Sequence, residues 1–481
     1  MTPALIFTAF AIYTILLFGI SFLTSGKADN ETFMLGNRRS PWYIVAYGMI
    51  GASLSGVTFI SIPGDVQNTH FSYMVIVLGY LLGYFVIANV LLPLYYKLQL
   101  TSIYTYLEDR FGFWSYKTGA VFFLISRIIG ASFRMFLVVS ILQIFVFDAW
   151  GIPFWATVAM FIVLIMLYTF RGGIKTIVWT DTLQTTFMLV AVVLTLIFIS
   201  RELGWSFSNL VQEVRESEYS RMFITEWQDR HFMIKDFLAG MFIAIVMTGL
   251  DQDMMQKNLS CRNLKDAKKN IYWLSIALIP VNLLFLSLGA VLWIYASKMT
   301  GFPALGTTDE LFPTIALQYL GPVAGITFII GLIAAAYSSA DSALTALTTS
   351  FSVDILNIRN KKIGEKQKTR TRYLVHIGIS IVVLLVIILF NAINDRSVIS
   401  SLFTIAGYTY GPLLGMFAFG LLTKYKVNDR FVPLIAILSP AICYVLSVYD
   451  TQWFMGYDFG FELLLVNGFL TFTGLFIVNK K

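Results

Sequence analysis

An aspartate, Asp181, stands where an apolar membrane helix would be expected. Residues 171 to 184 read RGGIKTIVWTDTLQ, and a long, mostly apolar run follows them. A carboxylate inside a bilayer is costly, and it most often lines the path of an ion or a substrate. The position of Asp181 therefore favours a cation-coupled transporter.

Hydroxyl groups and a second carboxylate are concentrated in residues 334 to 350, which read AAAYSSADSALTALTTS. Ser338, Ser339, Asp341 and Ser342 lie within about one and a half helical turns. Together with the carbonyl of Ala335, these groups could supply hard oxygen ligands to a small cation if a second helix offers carbonyls opposite. Serines in membrane helices more often bond to their own backbone, but the charge of Asp341 calls for a partner.

Residues 51 to 64, GASLSGVTFISIPG, contain small residues, hydroxyls and a Pro-Gly pair within an apolar stretch. A helix that breaks at membrane depth leaves carbonyls and amides without intrahelical partners, which is tolerated where they line a cavity or hold an ion. The same small residues would also allow close packing of helices. Both interpretations are open at this point.

Two arginines, Arg127 and Arg134, lie inside another apolar stretch, residues 123 to 142. Their spacing places both guanidinium groups on roughly the same helix face. Each could neutralise a buried carboxylate such as Asp341 or Asp181. Alternatively, Arg127 could meet a substrate anion, since its planar fork suits a carboxylate.

Composition predicts an all-α polytopic membrane protein. Of 481 residues, 57% are hydrophobic and 13% are charged, compared with about 25% charged residues in soluble domains. The net charge of +7 does not indicate nucleic-acid binding, because the basic residues fall between apolar stretches. Cys261 and Cys443 lie far apart and are predicted to be free thiols.

Apolar stretches of about 20 residues predict about thirteen transmembrane helices. These are 3–24, 43–68, 72–97, 116–147, 153–170, 177–200, 233–256, 271–297, 320–354, 371–393, 398–422, 430–448 and 459–478. Most lysines and arginines, including the cluster from Lys257 to Lys269, fall on the cytoplasmic side if the N-terminus is outside and the C-terminus inside. The first helix has no basic region before it and is predicted to be retained.

The motifs together resemble the solute:sodium symporter family over about residues 5 to 478. They are SLSGVTFISIPG, GGIKTIVWTDTLQ, DQDMMQ, AAAYSSADS and GPLLGMFAFGLL, in an order that is specific to that family. The resemblance implies the leucine-transporter fold, a five-plus-five inverted repeat, in one domain over residues 1–481. An extra N-terminal helix would occupy 3–24, the repeats 43–200 and 233–422, and two C-terminal helices 430–478.

The resemblance also implies a conserved Na⁺ site. It would use the carbonyls of Gly51, Leu54 and Ala335 and the hydroxyls of Ser338 and Ser339. The sodium/sialic acid symporters of bacteria resemble the chain further and imply a second Na⁺ site at Asp181, Ser338 and Ser342. Asp341 stands where that site has another serine, so two carboxylates could tighten a second Na⁺ or share a proton. One or two coupling ions therefore remain open.

The same resemblance implies a substrate site at Ser53, Ser55, Thr58 and Arg127. The expected solute is a small organic anion such as sialic acid or another sugar acid, imported by sodium-coupled alternating access. Val77 replaces a glutamine of the sialic acid carriers. A neutral sugar or a monocarboxylate is the alternative solute, and a passive channel or a transporter-like sensor is the alternative class.

No enzyme is predicted, because His70, His231 and His376 are scattered and no catalytic constellation appears. The expected location is a bacterial inner membrane, with the lipid bilayer as partner, no nucleic acid and no evident obligate protein partner.

Overall fold

Thirteen apolar helical segments make up most of the protein, and they coincide with the thirteen predicted stretches. The computed structural model describes residues 2–25, 30–358, 364–393 and 398–480, and the count applies to these. In order, the thirteen segments, called spans below, are Pro3–Ser25, Trp42–Leu54 with Gly56–Thr69, Tyr73–Lys97, Phe113–Trp150, Phe154–Gly172, Ile174–Glu202, Met233–Gly249 with Gln252–Leu259, Leu264–Lys298, Gly321–Ile355, Glu365–Ile393, Val398–Leu422, Val432–Val448 and Leu463–Ile477. By length and composition, nine of the described helices and the two bent pairs could cross a membrane, whereas the apolar helices at Phe154–Phe170 and Leu463–Ile477 are shorter, so the count of thirteen membrane crossings stays a prediction.

Short elements connect the spans. The helices among them are Asn30–Leu35, Thr105–Arg110, Phe207–Glu216, Leu311–Thr314 and Asp450–Trp453, and the strand Lys426–Val427 pairs antiparallel with Asn479–Lys480. Long helices dominate because a backbone in hydrocarbon must satisfy its polar groups within the same segment. The orientation in the membrane stays a prediction, and Lys27, Arg359, Lys361, Lys362, Arg396 and Lys481, which entered it, lie outside the described residues.

The second and seventh spans are broken and bend by 53° and 65°. In the second span, Ser55 leaves the helical conformation with φ 19° and ψ 173°, as the sequence predicted for this stretch. In the seventh span, Asp251 is non-helical, and its carboxylate accepts hydrogen bonds from the backbone amides of Asp253 and Met254. This N-cap satisfies the amides that the break exposes, and the sequence analysis missed it.

The contacts among spans two to eleven repeat with a twofold pattern. The third span packs along the seventh, and the eighth packs along the second. Likewise the sixth span packs along the ninth, and the eleventh along the fourth. Spans seven to eleven correspond in order to spans two to six. When each span is replaced by its counterpart, the contact of the third with the seventh becomes that of the eighth with the second, and the contact of the sixth with the ninth becomes that of the eleventh with the fourth. The bundle therefore has the five-plus-five inverted repeat of the leucine-transporter fold, with a broken helix at the start of each repeat.

Candidate functional site

The sixth span connects the two helices that were predicted to share the conserved Na⁺ site. Thr185 Oγ1 accepts a hydrogen bond from the Gly51 amide at 3.1 Å, and it donates to the carbonyl of Asp181 at 2.8 Å. Ser338 Oγ then donates to Asp181 Oδ1 at 2.7 Å. The break in the second span and the serine turn in the ninth therefore meet the same turn of the sixth.

The groups predicted for the conserved site can act as Na⁺ ligands. Ser339 Oγ donates to the Ala335 carbonyl at 3.2 Å, and the Gly51 carbonyl accepts from the Ser55 amide at 3.2 Å. A hydroxyl that donates its proton keeps two lone pairs, and the Gly51 carbonyl, which is in one hydrogen bond, keeps one. With Ser338 oriented by Asp181, the donor set suits a small hard cation. The five-oxygen cage itself, including Leu54, stays a prediction.

Lys257 lies against Asp181 inside the protein. Its Nζ is 2.7 Å from Asp181 Oδ2, and each side chain is 1% exposed. The prediction that Lys257 belongs to a basic cluster in a loop is wrong, because the residue lies in the buried half-helix Gln252–Leu259. A buried carboxylate calls for a buried cation, and Lys257 is the partner of Asp181.

The other groups of the predicted second Na⁺ site have partners in different places. Asp341 Oδ2 accepts a hydrogen bond from the Tyr168 hydroxyl at 2.6 Å, while its Oδ1 is buried without a partner. Ser342 Oγ contacts Asp253 Oδ2 at 3.2 Å and the Ser338 carbonyl at 3.0 Å. Ser338, Asp341 and Ser342 are neighbours on the ninth span. Their side chains bond to different helices: Asp341 to the fifth span, Ser338 to the sixth and Ser342 to the seventh.

Arg127 makes an ion pair that the sequence did not identify. Its guanidinium binds Asp253, and its Nη1 is 3.9 Å from Asp251 Oδ2. Tyr410 also donates a hydrogen bond to Asp251. The fourth span is thus fixed to the break in the seventh. Arg127 does neutralise a buried carboxylate, but that carboxylate is Asp253, and neither Asp181 nor Asp341.

A cavity of about 750 Å³, counting its space open to solvent, lies beside both broken helices. Its lining includes the predicted substrate residues Ser53, Ser55, Thr58 and Arg127, together with Tyr73, Tyr80, Tyr84, Arg134, Thr248 and Asn282. Ser53 Oγ is buried without a hydrogen-bond partner. Val77, on the same helix as the tyrosines, is fully buried and does not line the cavity.

Arg134 is the guanidinium group in this cavity that has no carboxylate partner. It is 8% exposed, and within the described ranges it makes no ion pair. Its Nε is buried without a hydrogen bond. The substrate site that the family resemblance implies includes Arg127 and not Arg134, and the spacing of the two arginines does not show which of them has a carboxylate neighbour on another helix.

The cavity continues toward the end of the bundle that carries residues 203–232, which the charge distribution predicts to be outside. A second cavity shares Tyr73 and Phe403 with the first and is also lined by Asp65, Asn68, Ser72, Arg230 and His231. His231 Nδ1 lies 3.4 Å from Asp236 Oδ2. Burial alone would lower the pKa of His231, but the adjacent carboxylate of Asp236 outweighs this effect and raises it.

The opposite end is closed by a hydrogen-bonded cluster around Asp354, in the last turn of the ninth span. Ser102 donates to Asp354 Oδ2 at 2.8 Å, and Tyr116 donates to Oδ1 at 3.0 Å. Lys117 donates to the Asp354 carbonyl. Gln252, at the break in the seventh span, bonds the backbone at Thr101. The structure is therefore open toward the predicted outside and closed at the predicted inside.

Comparison with known proteins agrees with this geometry. The family model for the sodium:solute symporter family matches residues 33–430. The sodium/sialic acid symporter NanT of Aliivibrio fischeri is 24% identical, over 94% of this chain and 89% of its own. The sodium-coupled monocarboxylate transporter 1 of Mus musculus is also 24% identical, over 84% of this chain and 66% of its own.

The fold also matches a solved structure. A Na⁺-coupled sialic acid symporter in its substrate-bound, outward-open state superposes with a TM-score of 0.82 at 22% identity, over 99% of each chain. This likeness confirms the predicted leucine-transporter fold, and the family model covers most of the chain. The protein belongs to the sodium:solute symporter family, and it is a multi-pass membrane transporter coupled to Na⁺.

Proposed function

We propose that this transporter carries a small organic acid with several hydroxyl groups, such as a sialic acid or another sugar acid, into a bacterial cell together with Na⁺. The observation that carries the proposal is Arg134, a buried guanidinium that faces the central cavity without a carboxylate partner among the described residues. A buried charge is stable only when it is paired. A carboxylate on the solute would provide that pairing during transport.

The chemistry of an arginine suits this role. Its planar fork binds a carboxylate through two parallel hydrogen bonds, which gives both strength and orientation. Arg127 is less suitable in this state because Asp253 already occupies it. An incoming acid would have to displace a protein carboxylate from Arg127, whereas Arg134 requires no such exchange.

Hydroxyl groups around Arg134 support a polyhydroxylated solute. Ser53, Ser55 and Thr58 line one wall of the cavity, on the two sides of the break. Tyr73 and Tyr80 line another wall, and their hydroxyls are 3.2 Å apart. Such a lining can donate to and accept from sugar hydroxyls, while the rings cover apolar faces of a sugar.

The position of the break supports coupling between solute and Na⁺. Leu54 and Ser55 line the solute cavity, and the carbonyls of Gly51 and Leu54 belong to the predicted Na⁺ cage. Na⁺ bound between these carbonyls and Ala335, Ser338 and Ser339 would hold the turn that shapes the cavity. Each Na⁺ that enters gains about 2.3 kcal/mol per 100 mV of membrane potential.

The named relatives support an acid as the solute, and they divide between sialic acid and monocarboxylates. The polar lining favours the larger, hydroxylated acid. Because Val77 is buried away from the cavity, recognition of a sugar here would rest on the tyrosines and serines. We infer that the chain acts as a transporter and not as an enzyme, since the family model and the named relatives all describe transporters.

Uptake into proteoliposomes tests this proposal. Purified protein is given radiolabelled N-acetylneuraminic acid under an inward Na⁺ gradient and, separately, under a matched K⁺ gradient. We expect accumulation with Na⁺ only. Excess unlabelled sugar acid should compete strongly, while lactate and galactose should compete weakly. Competition by lactate alone, with no uptake of the sugar acid, would identify a monocarboxylate carrier instead.

A variant and a control test the role of Arg134. Arg134→Gln should abolish uptake of the acid while the protein still purifies as a folded monodisperse species. Ser297→Ala, which removes an exposed hydroxyl bonded to its own helix, is the matched control and should transport as the wild type does. Unchanged uptake by Arg134→Gln would reject Arg134 as the carboxylate partner.

A further inference from the structure

The strongest feature outside the solute cavity is the buried ion pair between Lys257 and Asp181. Both side chains are 1% exposed, and the two charged atoms are 2.7 Å apart. Lys257 lies in the second half of the broken seventh span, and Asp181 lies on the sixth. Neither the solute cavity nor the predicted five-oxygen cage includes Lys257.

This pair occupies the place where the family resemblance implies a second Na⁺. Asp181 would be the charged ligand of that ion, with Ser338 and Ser342 beside it. In the structure Asp181 Oδ2 binds the ammonium of Lys257 and Oδ1 accepts the hydrogen bond of Ser338. Both oxygens of the carboxylate have partners, and its charge is already balanced by one monovalent cation.

The remaining groups do not form an alternative site around Asp181. Ser342 contacts Asp253, which Arg127 neutralises. Asp341 Oδ2 accepts a hydrogen bond from Tyr168 on the fifth span, and its Oδ1, which is buried without a partner, is not joined to Asp181. A second Na⁺ at Asp181 would therefore have to lie beside an ammonium of the same charge, in a buried region where like charges repel strongly. The residues present therefore do not fit a second Na⁺ at Asp181.

We infer that the ammonium of Lys257 takes the place of a second coupling ion at Asp181. Lys257 is covalently part of the chain, so it crosses no membrane and contributes no ion gradient. The transporter then moves one Na⁺ per solute. This count rests on the family's sodium coupling, and its electrical consequence rests further on the proposed function, since one Na⁺ with one monoanion carries no net charge.

Lys257 also takes part in a contact that joins three helices. It links the broken seventh span to the sixth, while Ser338 links the ninth span to the same carboxylate. A tethered cation would hold these three helices together whether or not solute is present. A diffusible Na⁺ would do so only when bound.

Equilibrium binding of radioactive Na⁺ to the purified full-length protein in detergent tests the inference without any solute. The wild type should bind one Na⁺ per protein with a Hill coefficient of about one. Lys257→Met keeps the length of the side chain and removes its charge, which leaves Asp181 unbalanced. This variant should bind two Na⁺, with a Hill coefficient above one.

Two further variants provide controls. Lys257→Arg keeps the charge and should bind one Na⁺. The double variant Lys257→Met with Asp181→Asn removes both charges and should also return to one, since nothing then attracts a second ion. Two Na⁺ bound by the wild type would overturn the inference, as would a folded Lys257→Met protein that binds only one. If Lys257→Met does not fold, the wild-type count decides alone.

The same protein in vesicles gives an independent measurement. With a K⁺ gradient and valinomycin to set the membrane potential, Na⁺-driven uptake of a monoanionic sugar acid should keep its accumulation ratio at any potential. A ratio that rises about tenfold per 60 mV of negative-inside potential, the value for one net charge moved, would mean two Na⁺ per solute. If no acid is transported, the proposed solute is wrong, but the Na⁺ count from binding still stands.

Discussion

Arg127 and Arg134 project from one helix into one cavity, but only Arg127 has a carboxylate partner in the described part of the chain. Asp253 supplies that partner from the break in the seventh span. Two arginines with the same chemistry on the same helix thus differ in a single contact. Arg127 fixes the fourth span to the seventh, and Arg134 is available to a solute.

Arg134→Lys tests whether the fork geometry of the guanidinium matters. Lysine keeps the positive charge but loses the two parallel hydrogen bonds, so the half-saturating concentration of an acidic solute should rise about tenfold. This corresponds to roughly 1.4 kcal/mol. Initial rates of uptake over a range of solute concentrations measure the change. An equal value for wild type and variant would show that charge alone is needed.

Arg127 is expected to act on stability. Arg127→Met leaves Asp253 buried without its cation, and removing one partner of a buried pair costs about 3–5 kcal/mol. The midpoint of thermal unfolding in detergent should fall markedly. Adding Asp253→Asn should restore most of the loss, because the unpaired charge is then gone. A double variant as unstable as Arg127→Met alone would argue against this pairing.

The apolar pattern was sufficient to predict the helices. Each predicted stretch lies on an observed segment, because an apolar run long enough to cross a bilayer has few alternatives to a helix. The break near Ser55 was also predictable, since glycine, serine and a Pro-Gly pair cluster there. The break at Asp251 was missed, although Thr248 and Gly249, which are poor helix formers, precede it. Its signal was an aspartate in N-cap position before a polar half-helix.

The partners of the charged residues could not be predicted in the same way. Lys257 and Asp181 lie on different helices, as do Arg127 and Asp253, and these pairings depend on how the helices pack. Positive residues near a predicted span end were assigned to a loop, which placed Lys257 outside the bundle. Asp253 and Lys257 are four residues apart, which places them on one face of the half-helix. This spacing could have predicted that the face points into the helix bundle.

Ser339→Ala tests the predicted Na⁺ cage. Ser339 Oγ is one of the proposed ligands, and loss of a hydrogen-bonding or ligand oxygen at a charge costs about 1.5–3 kcal/mol. The Na⁺ concentration for half-maximal uptake should therefore rise at least tenfold, with little change at saturating Na⁺. Thr327→Ala, on the same helix but exposed and bonded to its own backbone, serves as the control. An unchanged Na⁺ dependence would remove Ser339 from the cage.

The contact between His231 and Asp236 predicts that the thermal stability of the protein depends on pH. This contact raises the pKa of His231 above its usual value of about 6.5. A group whose pKa is raised on folding stabilises the protein fully below the unfolded pKa and loses that effect as pH rises through the folded pKa. The unfolding midpoint should therefore fall as pH increases above about 6.5. His231→Gln should flatten this part of the profile, and an identical profile would contradict the pairing.

Asp354 is expected to keep the predicted inner end closed. Its carboxylate accepts hydrogen bonds from Ser102, Tyr116 and Ser350, which join three elements at that end. Asp354→Asn replaces an acceptor-only group by an amide, which cannot accept all three. The variant should open the inner end more often.

Cys261 provides the measurement, because it lies at the same end, is fully buried, and has its carbonyl bonded by Tyr96. With Cys443→Ala as background, Cys261 is the one thiol left in the chain. In the closed state a maleimide should label it slowly, and Asp354→Asn should accelerate labelling several-fold. Asp429→Asn, which alters a different carboxylate bonded to Trp114 and Ser115, should leave the rate unchanged. Equal labelling rates in the Asp354 variant and its background would show that the cluster does not control this end.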